Sequence, residues 1–302
     1  MLAKSVAAVL LALSIAPAAW AADPMTLEQY IQSQAPVRGD VHVAYGSAAS
    51  QWAELFLPKG AGPHPVVVFV HGGCWSADVG ARTSSQVAAD LAAHGVAVWN
   101  IEYRRLGEAG GGYPGMYLDV GAALDKLRDL AGTHALDLSH VVVVGHSAGG
   151  HLALWAGSRA KLPATSPLHV ASPLPVSAVV SLAGAGDLKE LEPLLPLACG
   201  PELKMRDVVG DATPQRPDPF SDTSPRALLP TGVRTVSING VFDDILPPWS
   251  ALVWRQAATR SGDPAELVTL PDAGHFDVVG VTTPGWVAVR ERVLAEVART
   301  RP

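Results

Sequence analysis

A serine with a glycine two residues away on each side stands at position 147, in the sequence Gly145-His146-Ser147-Ala148-Gly149. A serine hydroxyl is a weak nucleophile, so a serine that attacks carbonyl groups must be exposed, paired with a base and close to oxyanion donors. A sharp strand-to-helix turn provides the exposure, and its backbone segments approach so closely that glycine is needed on both sides of the serine. The spacing therefore predicts Ser147 as a nucleophile, provided that a strand precedes it and a helix follows.

The segments around this motif meet that condition. Four consecutive valines, residues 141–144, come directly before it, and a run that is apolar on both faces is typical of a buried parallel strand. Residues 148–159 read as a helix, and the amino end of a helix carries partial positive charge that stabilises a nearby anion. We therefore expect the backbone N–H of Ala148 to be one oxyanion donor.

A pair of glycines ends an earlier strand. Residues 66–70 form a β-branched and aromatic run that leads into His71-Gly72-Gly73. Glycines at the carboxyl end of a strand let backbone N–H groups turn inward with no Cβ in the way. We expect Gly72 and Gly73 to complete the oxyanion hole with Ala148. His71 precedes the serine, and we expect it to hold this loop by hydrogen bonds.

The general base must be a histidine that follows the serine, because in serine sites of this type the order is serine, acid, histidine. His151 lies one turn further along the serine's own helix, and His169 follows with no acid between it and Ser147. His275 lies in a glycine-containing loop just after a strand predicted for residues 267–270. This loop position predicts His275 as the base.

The acid is expected at the end of the strand before that histidine. Residues 233–238 read as this strand, and Asp243 and Asp244 follow it as adjacent carboxylates. Either side chain can orient the histidine, so these residues alone leave the two open.

Strand and helix patterns alternate along most of the chain, which predicts a mostly parallel sheet with helices on both faces, an α/β fold. The predicted strands are residues 41–45, 52–57, 66–70, 96–101, 141–144, 176–182, 233–238 and 267–270. The predicted helices are residues 84–93, 115–130, 148–159, 249–260 and 286–299. Residues 187–230 break the alternation and are rich in proline and leucine, which predicts an insertion or lid.

The amino terminus has the pattern of a secretory signal peptide. A lysine precedes an apolar run at residues 6–16, and Ala-Trp-Ala then gives the small-x-small pattern that signal peptidase requires. We expect cleavage of residues 1–21 and a secreted or periplasmic domain of residues 22–302. The two cysteines, Cys74 and Cys199, are compatible with one disulfide or with two free thiols.

Several segments together resemble the bacterial α/β-hydrolases of the esterase and kynurenine-formamidase group. They are residues 71–75, 103–105, 145–155, 181–188 and 273–277, and the likeness runs from about residue 52 to residue 293. The resemblance implies an α/β-hydrolase fold and a serine-hydrolase mechanism.

In the resembling enzymes the acid commonly stands three residues after a glycine and four before a proline, here Gly240 and Pro247, which implies Asp243 rather than Asp244.

Taken together, these residues predict a serine hydrolase that acts through an acyl-enzyme on small neutral carboxylic esters, with arylformamidase activity as the alternative. We expect the substrate pockets to be lined by Trp75, Tyr103, Leu246 and the insertion. No metal or organic cofactor is expected, because no ligand spacing or phosphate-binding loop is present. The net charge of −6 argues against nucleic acid or an anionic membrane as a partner, and an intact serine, acid and histidine set argues against a non-catalytic binding protein.

Overall fold

The buried β-branched runs form the centre of an eight-stranded sheet in the computed structural model, which describes residues 23–299. The strands are β1 (Val41–Ala44), β2 (Trp52–Phe56), β3 (His64–Val70), β4 (Ala97–Ile101), β5 (Leu136–His146), β6 (Ala178–Leu182), β7 (Arg234–Gly240) and β8 (Ala265–Leu270). Their order is β1-β2-β4-β3-β5-β6-β7-β8. Strands β1 and β2 pair antiparallel with their neighbours and the others pair parallel, which confirms the predicted mostly parallel sheet.

Helices cover both faces of this sheet. Those of the described residues are α1 (Leu27–Ser33), α2 (Ser85–Ala93), α3 (Gly115–Leu130), α4 (Ala148–Ser158), α5 (Leu188–Leu191), α6 (Leu195–Cys199), α7 (Met205–Val209), α8 (Pro248–Arg260) and α9 (Pro284–Ala298). Side chains of α3, α4 and α8 pack on one face, and side chains of α1, α2 and α9 pack on the other. The sequence patterns predicted the five long helices and missed α1.

Alternate side chains of β3 enter two separate cores, because successive residues of a strand point to opposite faces. Val66, Val68 and Val70 belong to one cluster, while Val67 and Phe69 belong to the other. Each fully buried side chain of this size contributes about 1.5–3 kcal/mol. Burial on both faces therefore holds the carboxyl end of β3 in a fixed place.

The strand order reverses between β3 and β5, since β4 lies on one side of β3 and β5 lies on the other. In open parallel sheets the crevice outside the carboxyl strand ends at such a reversal is where ligands bind. Val70 at the end of β3 pairs with Gly145 near the end of β5. The loop that starts at His71 and the turn at Ser147 therefore lie side by side.

The insertion at residues 187–230 contains α5, α6 and α7 and is fixed to the domain. The side chains of His151 and Trp155 on α4 donate hydrogen bonds to the carbonyl oxygens of Thr223 and Asp222, at 2.9 Å each. Its movement as a lid stays a prediction.

The predicted signal peptide, residues 1–21, lies outside the described residues. Within residues 23–299, no helix is both long enough and apolar enough to cross a membrane.

Candidate active site

Ser147 occupies a strained turn between β5 and α4, with φ 54° and ψ −121°. A non-glycine residue at positive φ is rare and is held only when its surroundings enforce it. A Cβ on Gly145 would lie 2.1 Å from the carbonyl oxygen of Gly149, and a Cβ on Gly149 would lie 2.1 Å from that of Val70. Both contacts are closer than atoms can approach. The two glycines are therefore required by the turn, as their spacing in the sequence predicts.

The structure brings His275 and Asp243 together in a buried pair. The Nδ1–H of His275 donates to both carboxylate oxygens of Asp243, at 2.9 and 3.0 Å. The carboxylate also accepts the backbone N–H groups of Ile245 and Leu246, at 3.0 and 2.8 Å. Asp244 is exposed. Of the two adjacent carboxylates, Asp243 is the one that contacts the histidine, and its position fixes the proton of His275 on Nδ1.

His146, the residue before the serine, fixes the loop of His275 through a hydrogen bond and a ring contact. Its Nε2–H donates to the backbone carbonyl oxygen of His275 at 2.9 Å, and the two ring centroids are 4.7 Å apart. Burial, followed by the neighbouring His275, lowers the pKa of His146 well below its ordinary value. The ring is therefore neutral and has a single N–H, which this hydrogen bond uses. Sequence reasoning missed this residue, because the position between Gly145 and Ser147 accepts many residue types.

The loop after β3 passes very close to the serine turn. A Cβ on Gly72 would lie 2.7 Å from the carbonyl oxygen of His146 and 3.0 Å from the Cβ of Ser147, and Gly73 has a φ of 106°. Gly72 and Gly73 line the same cleft as Ser147. Ala148 lies at the first position of α4 beside a second, smaller cavity. Each of the three predicted oxyanion donors therefore lines a cavity that Ser147 also lines.

His71 holds this loop by hydrogen bonds, as expected. Its two ring nitrogens lie 2.8 Å from the carbonyl oxygen of Gly72 and 2.8 Å from a carboxylate oxygen of Glu102. Burial alone would raise the pKa of Glu102. The charge and hydrogen bond of His71, together with the charge of Arg105, outweigh this effect and hold the pKa below its ordinary value. Glu102 therefore stays ionised and keeps the loop in place.

The expectation that Tyr103 lines a substrate pocket is wrong. Its ring is fully buried and stacks on His71 with centroids 4.5 Å apart, and its hydroxyl donates to the carbonyl oxygen of His71. Tyr103 therefore supports the loop of His71, Gly72 and Gly73 and does not line the cleft of Ser147.

Two cavities meet at the serine. The outer cleft has a volume of about 440 Å³, and both Ser147 and His275 line it. The inner cavity has a volume of about 10 Å³ and lies against Trp75, Leu195 and Leu246. The two cavities that Ser147 lines therefore differ greatly in volume.

The other two histidines after the serine face away from the outer cleft. His151 is fully buried, its Nε2–H donates to the carbonyl oxygen of Thr223, and burial lowers its pKa to about 4. His169 donates to the carbonyl oxygen of Leu162 at 3.1 Å. Within residues 23–299, no three His, Cys, Asp or Glu side chains group as a metal ion would require.

A disulfide joins Cys74 and Cys199, with Cα atoms 5.6 Å apart across 125 residues of sequence. Cys74 follows the glycine pair and has a φ of 53°, while Cys199 ends α6 in the insertion. Both cysteines line the outer cleft. The bond therefore ties the insertion directly to the loop that carries Gly72 and Gly73.

We expect the double variant Cys74→Ser/Cys199→Ser to lose about 2–5 kcal/mol of unfolding free energy, because the bridge closes a long loop in the unfolded chain. Hydrolytic turnover is expected to fall as well, because the loop of Gly72 and Gly73, the predicted oxyanion donors, loses its attachment to the insertion. Urea unfolding of both proteins, with and without dithiothreitol, measures the effect. Reductant should bring the wild type to the stability of the double variant and leave the variant unchanged. Free thiols in the native wild type, shown by alkylation and intact mass, would contradict the bond.

Comparison with solved structures identifies the fold. An inhibited esterase B of Lactobacillus rhamnosis superimposes with a TM-score of 0.72 at 19% identity, over 89% of this chain and 90% of that one. A truncated carbohydrate esterase from gut microbiota gives a TM-score of 0.70 at 22% identity, over 88% of this chain and 98% of that one. The sheet with its flanking helices is the α/β-hydrolase fold.

Sequence relatives extend this comparison. Esterase LipC of Mycobacterium tuberculosis is 30% identical over 244 residues, which are 78% of this chain and 60% of LipC. A probable isoprenylcysteine alpha-carbonyl methylesterase of Arabidopsis thaliana is 30% identical over 113 residues, 37% of this chain and 23% of that protein. The chain thus spans at most 60% of the length of these two relatives. Residues 53–250, more than half of the chain, match the BD-FAE family model, and the chain therefore belongs to the BD-FAE family.

Proposed function

We propose that the protein is a serine hydrolase that cleaves carboxylic esters of small neutral acyl groups through an acyl-enzyme. The observation that carries the proposal is the shared cleft. Ser147, in its strained turn, lines the same cleft as His275, whose Nδ1–H is held by buried Asp243. A nucleophile, a base and a group that orients the base are the three parts that such a mechanism needs.

Each of these groups has a task in the proposed mechanism. Because Asp243 keeps the proton of His275 on Nδ1, the Nε2 atom is free to take the proton of Ser147. The Oγ–C bond then forms as the oxygen attacks the ester carbonyl. Backbone N–H groups of Gly72, Gly73 and Ala148 are our proposed donors to the oxyanion.

The tetrahedral intermediate collapses by breaking the bond between the carbonyl carbon and the alcohol oxygen. His275 returns its proton to that oxygen, and the alcohol leaves. A water molecule, deprotonated by the same histidine, then attacks the acyl–Ser147 ester. The acyl–Oγ bond breaks, and His275 returns the proton to the serine oxygen, which restores the free serine.

The inner cavity supports a small acyl group. Its volume of about 10 Å³ is close to the smallest space that holds one water molecule, which is also about the size of a methyl group. Among the described residues, neither Arg nor Lys lines this cavity or the outer cleft. In the described part of the chain, these walls therefore hold no arginine or lysine that would attract an anionic acyl group, and we infer a neutral substrate.

The names of the relatives favour esters over the arylformamidase alternative. LipC and the structural neighbours above are described as esterases. We therefore propose ester cleavage for this chain.

A single assay separates the two activities. We expect kcat/KM to fall from p-nitrophenyl acetate to butyrate to octanoate, since the inner cavity has no room for a long chain, and we expect low activity on N-formylkynurenine. The hydrolysis rates of all four compounds are measured side by side at pH 7.5. A kcat/KM for the formamide well above that for every ester would overturn the proposal.

We also propose that the protein is exported. Residues 1–21 have the pattern of a cleaved signal peptide, and disulfides such as Cys74–Cys199 persist in oxidising compartments. Both features fit a secreted or periplasmic enzyme.

A further inference from the structure

The outer cleft has a wall that the family match does not include. Helix α1 precedes residues 53–250, yet Leu27, Tyr30 and Ile31 all line the cleft that contains Ser147. Residues three and four apart share one face of a helix, so these three side chains form a continuous strip. One face of α1 is thus part of the candidate site.

Two contacts join α1 to the loop of His275. The Tyr30 ring stacks on Phe276 with centroids 5.3 Å apart, and its hydroxyl donates to the carbonyl oxygen of Thr83. Just before the helix, the N–H of Met25 donates to Asp277, whose carboxylate also accepts the N–H of Gly274. Phe276 and Asp277 follow the histidine directly, so the position of α1 is fixed relative to the candidate base.

The two other side chains of the strip are open to the cleft. Leu27 is 51% exposed and Ile31 is 57% exposed, although both are large aliphatic residues. The cleft walls also include the apolar side chains of Val79 and Ile245. Exposed apolar side chains grouped around a concave site are typical of a surface that binds an apolar ligand group.

An ester carries an acyl substituent and an alcohol substituent on its reacting carbonyl. The two cavities differ in volume, so each fits a substituent of a different size. The inner cavity of about 10 Å³ takes a small acyl group, which leaves the outer cleft of about 440 Å³ for the alcohol. We propose that α1 binds an apolar alcohol moiety of the substrate through Leu27 and Ile31, an inference that rests on the proposed ester hydrolysis. The helix then determines which acetylated alcohols the enzyme prefers.

Acetates of different alcohols test this directly, because they all form the same acetyl-enzyme and differ only in the steps before it. We expect Leu27→Ser/Ile31→Ser to lower kcat/KM for hexyl and 2-naphthyl acetate about tenfold, through KM, and to leave methyl acetate nearly unchanged. The matched control is Leu118→Ser, which removes an exposed leucine of α3 that lies outside the cleft. Leu118→Ser should leave kcat/KM unchanged for all three acetates. Melting temperatures check that the variants stay folded.

A second series varies the acyl group on one alcohol. The ratio of kcat/KM for p-nitrophenyl acetate to that for butyrate should be the same in the wild type and in the α1 variant. A changed ratio would place the acyl chain against α1 and overturn the inference. Equal losses for methyl and hexyl acetate, or no loss at all, would overturn it too. A wild type that hydrolyses no ester would instead overturn the proposed function, and with it the inference.

Discussion

Ser147→Ala is expected to lower kcat for p-nitrophenyl acetate by about 10⁴-fold or more, because it removes the only atom that attacks the ester in the proposed mechanism. The fold should survive. Alanine keeps the Cβ that already occupies the strained turn at φ 54°, and the flanking glycines are untouched. Steady-state kinetics and thermal unfolding of the purified variant measure both quantities.

A serine elsewhere in the cleft supplies the control. Ser76 also lines the cleft, but its hydroxyl donates to the carboxylate of Asp78 at 2.9 Å. Ser76→Ala should retain most of the turnover. A fluorophosphonate probe should label Ser147 in the wild type and in Ser76→Ala, as identified by peptide mass. Retention of a tenth of the wild-type turnover by Ser147→Ala would remove that residue as nucleophile.

Single and double substitutions at Ser147 and His275 test whether the two residues act together. His275→Ala alone should cost about as much as Ser147→Ala, and the double variant should be no worse than either one, because serine and base act as a unit.

Asp243→Asn is expected to lower kcat by about 10³–10⁴-fold. The asparagine oxygen can still accept the N–H groups of Ile245 and Leu246, so the turn should keep its shape. Its NH₂ group, however, would face Nδ1 of His275 and favour the tautomer with the proton on Nε2. That tautomer cannot take a proton from the serine. Kinetics on the same ester, with the melting temperature as a fold check, measure the loss.

The neighbouring carboxylate is the matched control, since it has the same chemistry one position further along the chain. Asp244 is exposed, and the hydrogen bonds to His275 go to Asp243. Asp244→Asn should therefore change kcat little. If Asp244→Asn were the inactive variant, the assignment of the acid would be reversed.

Local sequence patterns predicted most of the sheet and the strand-to-helix turn that carries Ser147, the proposed nucleophile. The valines of residues 141–144 lie inside β5, and the helix predicted after the serine is α4. Such elements depend on the pattern of apolar residues and on glycine at contacts that exclude a Cβ, and neighbouring residues are enough to specify both. The resemblance in sequence also pointed to the α/β-hydrolase fold, which the structure confirms.

Helix α1 is an element that the sequence analysis did not predict. Thr26 and Gln29 form a capping box that marks its start, with apolar residues on one face after it. This signal predicts a short helix and was available in the sequence. The contact between Tyr30 of this helix and Phe276 could not be predicted in the same way. Phe276 lies far from the helix in the sequence, and only the packing of the folded chain brings the two rings together.

The sequence by itself determined Ser147, His275 and the glycines around them, because each is specified by its immediate neighbours. The residues alone left Asp243 and Asp244 open, and the resemblance implied Asp243. The tertiary structure shows the contact itself, because the turn directs the Asp243 side chain to the histidine and the Asp244 side chain into solvent. It also decided that Cys74 pairs with Cys199 across 125 residues. These contacts depend on how segments that are distant in sequence pack against a common sheet. A local sequence pattern does not specify that packing.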